Sequence, residues 1–300
     1  MPDKLFKVNI EEYMLPGNRA CQGCGLSLAY RYILKALREN TIMTIPASCL
    51  TVLHGMYPIT AVGIPCLNCT FASTAASASG LVAGLTAMNR TDITVVAMAG
   101  DGGTYDIGIQ ALSGAAERGT DFIYVCYDNE GYMNTGTQRS SATPAGALTT
   151  TTPVLTKQQN KKDMMKIMEG HDIPYLATTS PSFPIDLYDK FVKAKRIKGT
   201  RYLQIATPCP PGWIFPPKDM VRIGRLAVET GFVVLYEIEN GKFRFTGRSK
   251  TLAEKGTRAP VINFVERQGR FKKMSMEQLG QLQRWVNAKW TEYLRRAEAS

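Results

Sequence analysis

The sequence predicts an α/β fold in which a mostly parallel sheet carries helices on both faces. Two apolar, β-branched segments, Ile93–Ala99 and Phe122–Tyr127, have the pattern of strands that are buried on both sides. Segments with helical spacing of apolar residues alternate with the strand candidates, which is typical of parallel sheets. We expect a domain over residues 1–230 and a C-terminal extension over residues 231–300.

The other elements follow from periodicity and from capping residues. Strand candidates are Ile42–Ile45, Tyr175–Thr178 and Tyr202–Ala206. Helix candidates are Leu26–Glu39, Phe71–Met88, Ile107–Arg118, Lys162–Glu169, Ile185–Ile197 and Met220–Thr230. A last helix starts at Ser275, which forms a capping box with Gln278. The polar stretch Asp128–Pro153 lacks periodicity and is too long for an ordinary connection, so it is predicted to be a functional loop.

The composition limits the class of protein. A chain of 300 residues with 44% hydrophobic content can bury a sizeable core. It has no run of eighteen apolar residues and no apolar stretch near its start, so we expect a cytoplasmic protein without a membrane span. The net charge of +11 comes from scattered Lys and Arg without a nucleic-acid motif; a basic face that docks an acidic protein accounts for it equally well.

A glycine-rich turn follows the first buried strand. Gly100-Asp101-Gly102-Gly103 stands where this strand ends and a helix begins. Such a turn lets backbone N–H groups approach a diphosphate closely. A carboxylate there would repel phosphate unless a divalent cation lay between them, so Asp101 is predicted to bind Mg²⁺.

A second polar group follows the neighbouring strand. Asn129 comes after Phe122–Tyr127, and 26 residues separate it from Gly102, enough for one helix and one returning strand. This spacing matches the Gly-Asp-Gly…Asn signature of thiamine-diphosphate enzymes. Their pattern implies metal contacts from Asp101, the Asn129 side chain and the Gly131 carbonyl. The alternative is that these residues bind no cofactor and form only a tight strand–helix turn followed by an Asn/Gly loop.

Seven cysteines in a chain expected in the cytoplasm indicate metal or cluster ligation rather than disulfides. Cys21 and Cys24 form a C-x-x-C pair before a helix, and Cys49 and Cys209 are the best candidates for two further ligands. Four thiolates hold either Zn²⁺ or a [4Fe–4S] cluster, and one pair with two distant singles favours the cluster.

The remaining cysteines have other interpretations. Cys66 and Cys69 form a second C-x-x-C pair, which could in principle supply two cluster ligands. We expect them instead to pack near the cofactor. Cys126 lies inside an apolar strand and is predicted to be a small buried hydrophobe.

Nearly all of the chain resembles the β subunit of pyruvate:ferredoxin oxidoreductase, a protein with a thiamine-diphosphate-binding fold. The stretches that carry the resemblance are Gly17–Gly25, Gly100–Arg118, Tyr127–Pro144, Pro208–Trp213 and Gln268–Phe271. It implies CoA-dependent oxidative decarboxylation of a 2-oxoacid, with electrons passed to ferredoxin. It also implies that other subunits complete the active site, and the C-terminal extension would pack on the domain or on these partners.

The resemblance also implies site residues. Cys21, Cys24, Cys49 and Cys209 would bind the [4Fe–4S] cluster nearest the thiamine. Asn134 would face the reacting carbon, and Cys49 would lie beside both cofactors. The diphosphate and its Mg²⁺ would be held by two loops: Gly100, Asp101, Gly102 and Gly103, and then Asn129, Glu130, Gly131, Tyr132, Met133 and Asn134.

The sequence departs from this family in two places. Gly17-Asn18-Arg19 replaces the usual Gly-His-Arg, and Cys66–Ser73 replaces a segment with an aromatic, a His and an acidic residue. The departures at Cys66–Ser73 leave the substrate open. Pyruvate stays the first substrate expected, and oxalate, which would not use CoA, or another small 2-oxoacid is the alternative. A non-redox thiamine lyase and a zinc-stabilised binding module remain as more distant readings.

Overall fold

An eight-stranded sheet runs through residues 8–300, the part of the chain that this computed structural model describes. The strands are β1 (Thr41–Pro46), β2 (Cys66–Cys69), β3 (Thr94–Gly100), β4 (Ile123–Asp128), β5 (Tyr175–Thr179), β6 (Arg201–Ala206), β7 (Tyr236–Glu239) and β8 (Lys242–Phe245). Their order is β2-β1-β3-β4-β6-β5-β7-β8. The strands from β1 to β6 are parallel, whereas β7 and β8 are antiparallel to their neighbours.

Helices cover both faces of the sheet. They are α1 (Gly25–Leu37), α2 (Cys49–His54), α3 (Thr74–Ala87), α4 (Ile109–Glu117), α5 (Met164–Glu169), α6 (Pro184–Arg196), α7 (Pro210–Trp213), α8 (Met220–Glu229), α9 (Gly247–Lys255), α10 (Ile262–Val265) and α11 (Met276–Ala299). One core joins α1 and α6 to one face of the sheet, and a second joins α3, α4 and α5 to the other face. The prediction of a mostly parallel sheet with helices on both faces is confirmed.

Alternation along the central strands explains why a core lies on each face of the sheet. In β3, Val96 and Met98 contribute to the first core, while Val95 and Ala97 contribute to the second. Successive side chains of a strand point to opposite faces, so a strand covered on both sides is apolar throughout. The apolar pattern at Ile93–Ala99 is therefore continuous because both faces of β3 are covered, as predicted.

Most predicted elements form within about two residues of the predicted bounds. The capping box of Ser275 and Gln278 is present and starts α11. The segment after β4 contains neither helix nor strand until Met164, which agrees with the predicted loop. The elements that were not predicted are the helices α2, α7, α9 and α10, the edge strand β2 and the hairpin of β7 and β8.

The C-terminal residues extend the same sheet. Strand β7 pairs with β5, and α11 packs Trp290 against Phe245 and Tyr293 against Tyr236 and Phe243. The boundary at residue 230 stays a prediction. Within residues 8–300, none of the helices has both the length and the apolar character that a bilayer crossing requires.

Candidate cofactor site

The candidate site lies at the carboxyl ends of β3 and β4. These strands are adjacent and parallel, and Gly100 is the pairing partner of Tyr127, so the segments that follow them leave the same edge of the sheet. Ligands of open α/β sheets bind at this edge. The chain after β3 makes a π-helical turn over Gly102–Asp106.

The turn is held against the loop that follows β4. The Tyr132 hydroxyl donates to Asp106 Oδ2 at 3.1 Å. A Cβ on Gly102 would lie 2.4 Å from the Tyr132 ring, so only glycine allows this approach. The two loops form one wall.

Three predicted metal ligands meet at the base of this wall. The Asn129 amide group lies 2.9 Å from Asp101 Oδ1 and 2.9 Å from the Gly131 carbonyl oxygen. If the Asn129 amide oxygen faces Asp101 and Gly131, three oxygens lie together, and oxygen is the ligand that Mg²⁺ prefers. If the amide nitrogen faces them, it donates a hydrogen bond to both. The residues present therefore fit a hard divalent cation.

The Asp101 carboxyl group is fully buried. Burial, and next the charge of Asp128, raise the pKa of Asp101 well above its usual range. The Ser140 hydroxyl donates to Oδ2 of this carboxyl group. Ser140 was not predicted as a site residue, since nothing in the loop pattern shows that residue 140 returns to residue 101. A cation beside Asp101 would offset the cost of burying its charge.

A cavity of about 390 Å³ opens above these ligands. Its size lies in the range typical of small-molecule and cofactor sites. Most of the predicted cofactor-binding residues line it: Gly100, Gly102, Gly103, Asn129, Gly131, Tyr132, Met133 and Asn134. Phe71, Tyr127, Ala47, Ser48, Cys49 and Thr135 complete the lining. The structure thus brings both predicted loops to one cavity.

Glu130 is the predicted cofactor residue whose side chain lies elsewhere. It has a φ of 67° and is not among the residues that line the cavity. Its carboxylate lies 2.5 Å from Lys161 and 2.6 Å from Arg270. Burial acts to raise the pKa of Glu130, but the two cations outweigh it and lower that pKa. Sequence reasoning missed Lys161 and Arg270 as neighbours of the site.

The four predicted cluster ligands line a second cavity, of about 70 Å³. Cys21 and Cys24 come from the loop before α1, Cys49 begins α2, and Cys209 precedes α7. Among residues 8–300, no group of three or more His, Cys, Asp or Glu is close enough to hold a single metal ion. The four thiols therefore surround a space rather than a point.

Backbone N–H groups face three of these sulfurs. Ser27 N donates to Cys24 Sγ at 3.4 Å, and the N–H groups of Asn134 and Gly212 face the sulfurs of Cys49 and Cys209. Burial raises the pKa of Cys49 and of Cys209 to about 12. As free thiols both would be neutral and unreactive at pH 7, so positive charge from a bound group is needed to make them thiolates.

One polar atom in the second cavity lacks a partner. Thr207 lines this cavity, and within the described part of the chain its buried Oγ1 has no hydrogen-bond partner. Buried hydroxyl groups are normally paired. An acceptor bound in the cavity, such as an inorganic sulfide or a cysteine thiolate, would satisfy it.

The other cysteines lie apart from both linings. Cys66 and Cys69 stand on the edge strand β2, and Cys69 Sγ donates to the Ile45 carbonyl at 3.1 Å. Cys126 is fully buried in β4, as predicted for a small hydrophobe. Neither Cys66 nor Cys69 is among the residues that line the two cavities.

The two cavities share part of their walls. Cys49, Asn129 and Asn134 line both of them. A group held by the four cysteines would therefore lie next to a group held by the glycine-rich loops.

The fold and this site define the class of thiamine-diphosphate-binding proteins. Residues 48–205 match the family described as thiamine pyrophosphate enzyme, C-terminal TPP binding domain. The chain is 47% identical to "Pyruvate synthase subunit PorB" of Methanothermobacter thermautotrophicus, over 94% of this chain and 98% of the relative. It is 44% identical to "Ketoisovalerate oxidoreductase subunit VorB" of Pyrococcus horikoshii, over 98% of this chain and 96% of the relative. The chain belongs to the family of 2-oxoacid:ferredoxin oxidoreductase β subunits.

A solved structure shows the same fold. The 2-oxoglutarate:ferredoxin oxidoreductase of Magnetococcus marinus superposes with a TM-score of 0.57 and 21% identity, over 68% of this chain and 70% of that chain. The family resemblance, the predicted fold class and the prediction of an enzyme subunit are confirmed.

We expect Asp101→Asn to weaken retention of thiamine diphosphate by about tenfold or more. Loss of one of few anionic ligands weakens a hard-cation site, and even changes behind a metal ligand cost about 10–100-fold in metal affinity. Bound thiamine would be measured after gel filtration. Asp121→Asn is the matched control, because Asp121 pairs with Arg201 and precedes β4, at the opposite end of the strand from Asn129. Equal occupancy in both variants would contradict the assignment.

Proposed function

We propose that this chain is the thiamine-diphosphate- and [4Fe–4S]-binding subunit of an enzyme that oxidatively decarboxylates a small 2-oxoacid. The observation that carries the proposal is the common wall of the two cavities, formed by Cys49, Asn129 and Asn134. Thiamine diphosphate supplies an electron sink for decarboxylation, and a cluster accepts single electrons. Neither group alone would require such a wall.

The cation part of the proposal assigns Mg²⁺ to Asp101, Asn129 and the Gly131 carbonyl. The Asn129 amide group lies 2.9 Å from both Asp101 Oδ1 and the Gly131 carbonyl oxygen, and this proximity supports it. The backbone of Gly100–Gly103 and of Asn129–Asn134 would hold the diphosphate, while Phe71 and Met133 give the cavity an apolar, water-excluding lining. Asn134 would face the reacting carbon.

A [4Fe–4S] cluster fits the four cysteines better than Zn²⁺. A tetrahedral zinc site with Zn–S bonds of about 2.3 Å places its sulfurs about 3.8 Å apart. Among the described residues no three of His, Cys, Asp or Glu are grouped so that they could hold one metal ion, although four cysteines line one cavity. A cluster binds each thiolate through a different iron, so its ligands are spread wider. The N–H groups that face the sulfurs and the unpaired Thr207 hydroxyl also suit a sulfide-rich group.

Pyruvate with CoA is the proposed substrate pair. The pyruvate synthase relative is 47% identical, and the ketoisovalerate oxidoreductase relative is 44% identical, so 3-methyl-2-oxobutanoate is the nearest alternative. Oxalate, without CoA, stays a further alternative, because the unusual Cys66–Ser73 segment begins at β2 and contains Phe71, which lines the larger cavity.

Ferredoxin is the proposed electron acceptor, and other subunits are the proposed partners. A net charge of +11 favours association with an acidic protein, since complementary fields raise the association rate. The relatives are themselves named as subunits. The cytoplasm is the proposed compartment, in agreement with seven cysteines that are all free.

The proposed reaction predicts a defined substrate preference. The assembly that contains this chain should reduce ferredoxin with pyruvate and CoA at a higher kcat/KM than with 3-methyl-2-oxobutanoate or oxalate. Carbon dioxide and reduced ferredoxin would be measured together. Carbon dioxide release without ferredoxin reduction would instead identify a non-redox lyase.

The proposed cluster predicts different effects for the two kinds of cysteine. Cys209→Ser should lose about one cluster's worth of iron and sulfide or change its spectrum, because a serine oxygen is a poorer ligand for iron. Cys66→Ser is the control and should keep the iron content of the unaltered protein. Iron analysis and electron paramagnetic resonance would check both variants. Iron loss in Cys66→Ser, with Cys209→Ser unaffected, would overturn this ligand set.

A further inference from the structure

Arg270 is a buried cation at the junction of the two candidate cofactor loops. It lies in the motif Gln268-Gly269-Arg270-Phe271, in a 3₁₀ turn between α10 and α11, and it is 2% exposed. Its guanidinium carbon lies 4.0 Å from the centre of the Trp213 ring. One of its nitrogens lies 2.6 Å from Glu130 Oε2.

These two contacts belong to different loops. Trp213 ends α7, the helix that Cys209 precedes, while Glu130 stands between Asn129 and Gly131 in the metal-binding loop. Trp213 also donates from Nε1 to the Asn129 carbonyl at 2.7 Å. Arg270 therefore closes a contact between the segment that carries a cluster ligand and the segment that carries two Mg²⁺ ligands.

The turn that holds Arg270 is itself fixed on both sides. Arg270 Nε donates to Gln268 Oε1 at 2.9 Å, and Gly269 N donates to the Ile214 carbonyl at 2.8 Å. Leu148 N donates to the Arg270 carbonyl at 2.8 Å. The guanidinium group thus has little freedom to leave its place between the two loops.

Stability alone is a poor reason for this arrangement. Burial lowers the pKa of Arg270, against the opposing effect of Glu130. Within residues 8–300, Nη1 and Nη2 have no aligned hydrogen-bond partner, although the ion pair is close. A buried ion pair with incomplete hydrogen bonding often contributes less to stability than apolar residues of similar volume. A second reason to bury the Arg270 charge is that it holds its neighbours, Trp213 and Glu130, in place.

We propose that Arg270 is a positioning residue that fixes the segment Cys209–Trp213 against the segment Asn129–Gly131, so that retention of the cluster and of thiamine diphosphate depends on one side chain. The inference rests on the proposed function, because it assumes that both cofactors bind this chain. It adds a coupling between their sites, which the common wall of the two cavities does not by itself require.

The test compares Arg270→Met with Arg201→Met in the assembled complex. Arg201 is also a buried arginine, 3% exposed and paired with Asp121, but it begins β6, at the end of the strand opposite Cys209. Iron and bound thiamine per complex would be measured after gel filtration, together with the thermal midpoint and the electron paramagnetic resonance spectrum. Arg270→Met should lose both cofactors about tenfold faster than the unaltered complex. Arg201→Met should lower the thermal midpoint and keep both cofactors.

Arg270→Lys keeps the proposal testable if Arg270→Met does not assemble. Lysine retains the charge but not the planar group that stacks on Trp213, so both cofactors should still dissociate several-fold faster. Retention of both cofactors at the unaltered rate in Arg270→Lys, or loss of only one cofactor in either Arg270 variant, would overturn the coupling. Absence of iron or thiamine from the unaltered complex would instead overturn the proposed function.

Discussion

The buried carboxyl group of Asp101 sets the constraint that the surrounding structure meets. A charge without water is costly unless a cation or hydrogen bonds compensate it. The carboxyl end of β4 places Asn129 and Gly131 beside Asp101, and the long loop after β4 returns Ser140 to it. Adjacent parallel strands are what bring residues so far apart in sequence to one point.

A network of charges lies behind this site and holds its loop in place. Lys161 contacts Asp128 at 3.1 Å and Glu130 at 2.5 Å, and Arg270 reaches Glu130 from the other side. Burial acts to lower the pKa of Lys161, but the two carboxylates outweigh it and raise that pKa. The two carboxylates on each side of Asn129, those of Asp128 and Glu130, are therefore paired with Lys161 and Arg270. Neither carboxylate lines the larger cavity, so Asp101 is the carboxylate left to bind a cation.

Local signals predicted the parts of the site that lie in continuous segments. The strand before Gly100 is apolar on both faces, and the turn and the C-x-x-C pair are short motifs with a direct chemical meaning. Contacts between distant segments gave no such signal: the two carboxylate partners of Lys161, Asp128 and Glu130, precede it by 33 and 31 residues. The resemblance implied that Glu130 belongs to the loop that holds the cofactor; its carboxylate pairs with Lys161 and Arg270, and no local signal predicts these contacts.

The missed elements are short or depend on tertiary contacts. Strand β2 is four residues long, and its sequence, Cys-Leu-Asn-Cys, becomes a strand only because β1 offers a parallel edge. The β7–β8 hairpin has an alternating pattern, but its direction is set by pairing with β5. Helix α3 was predicted to start at Phe71 and begins at Thr74. The difference of three residues is at a helix end, where a periodic pattern defines the boundary least well.

The central claim is that a cluster and a thiamine-bound metal lie side by side on this chain. Replacing Mg²⁺ by Mn²⁺, which oxygen ligands also accept, would place a paramagnetic probe at Asp101 and Asn129. The relaxation of Mn²⁺ would then be measured with the cluster oxidised and reduced, in the unaltered complex and in Cys209→Ser. We expect Mn²⁺ to relax faster when the cluster is reduced than when it is oxidised. This difference between the two redox states should be lost in Cys209→Ser. Mn²⁺ relaxation that is the same in both redox states of the unaltered complex would contradict it.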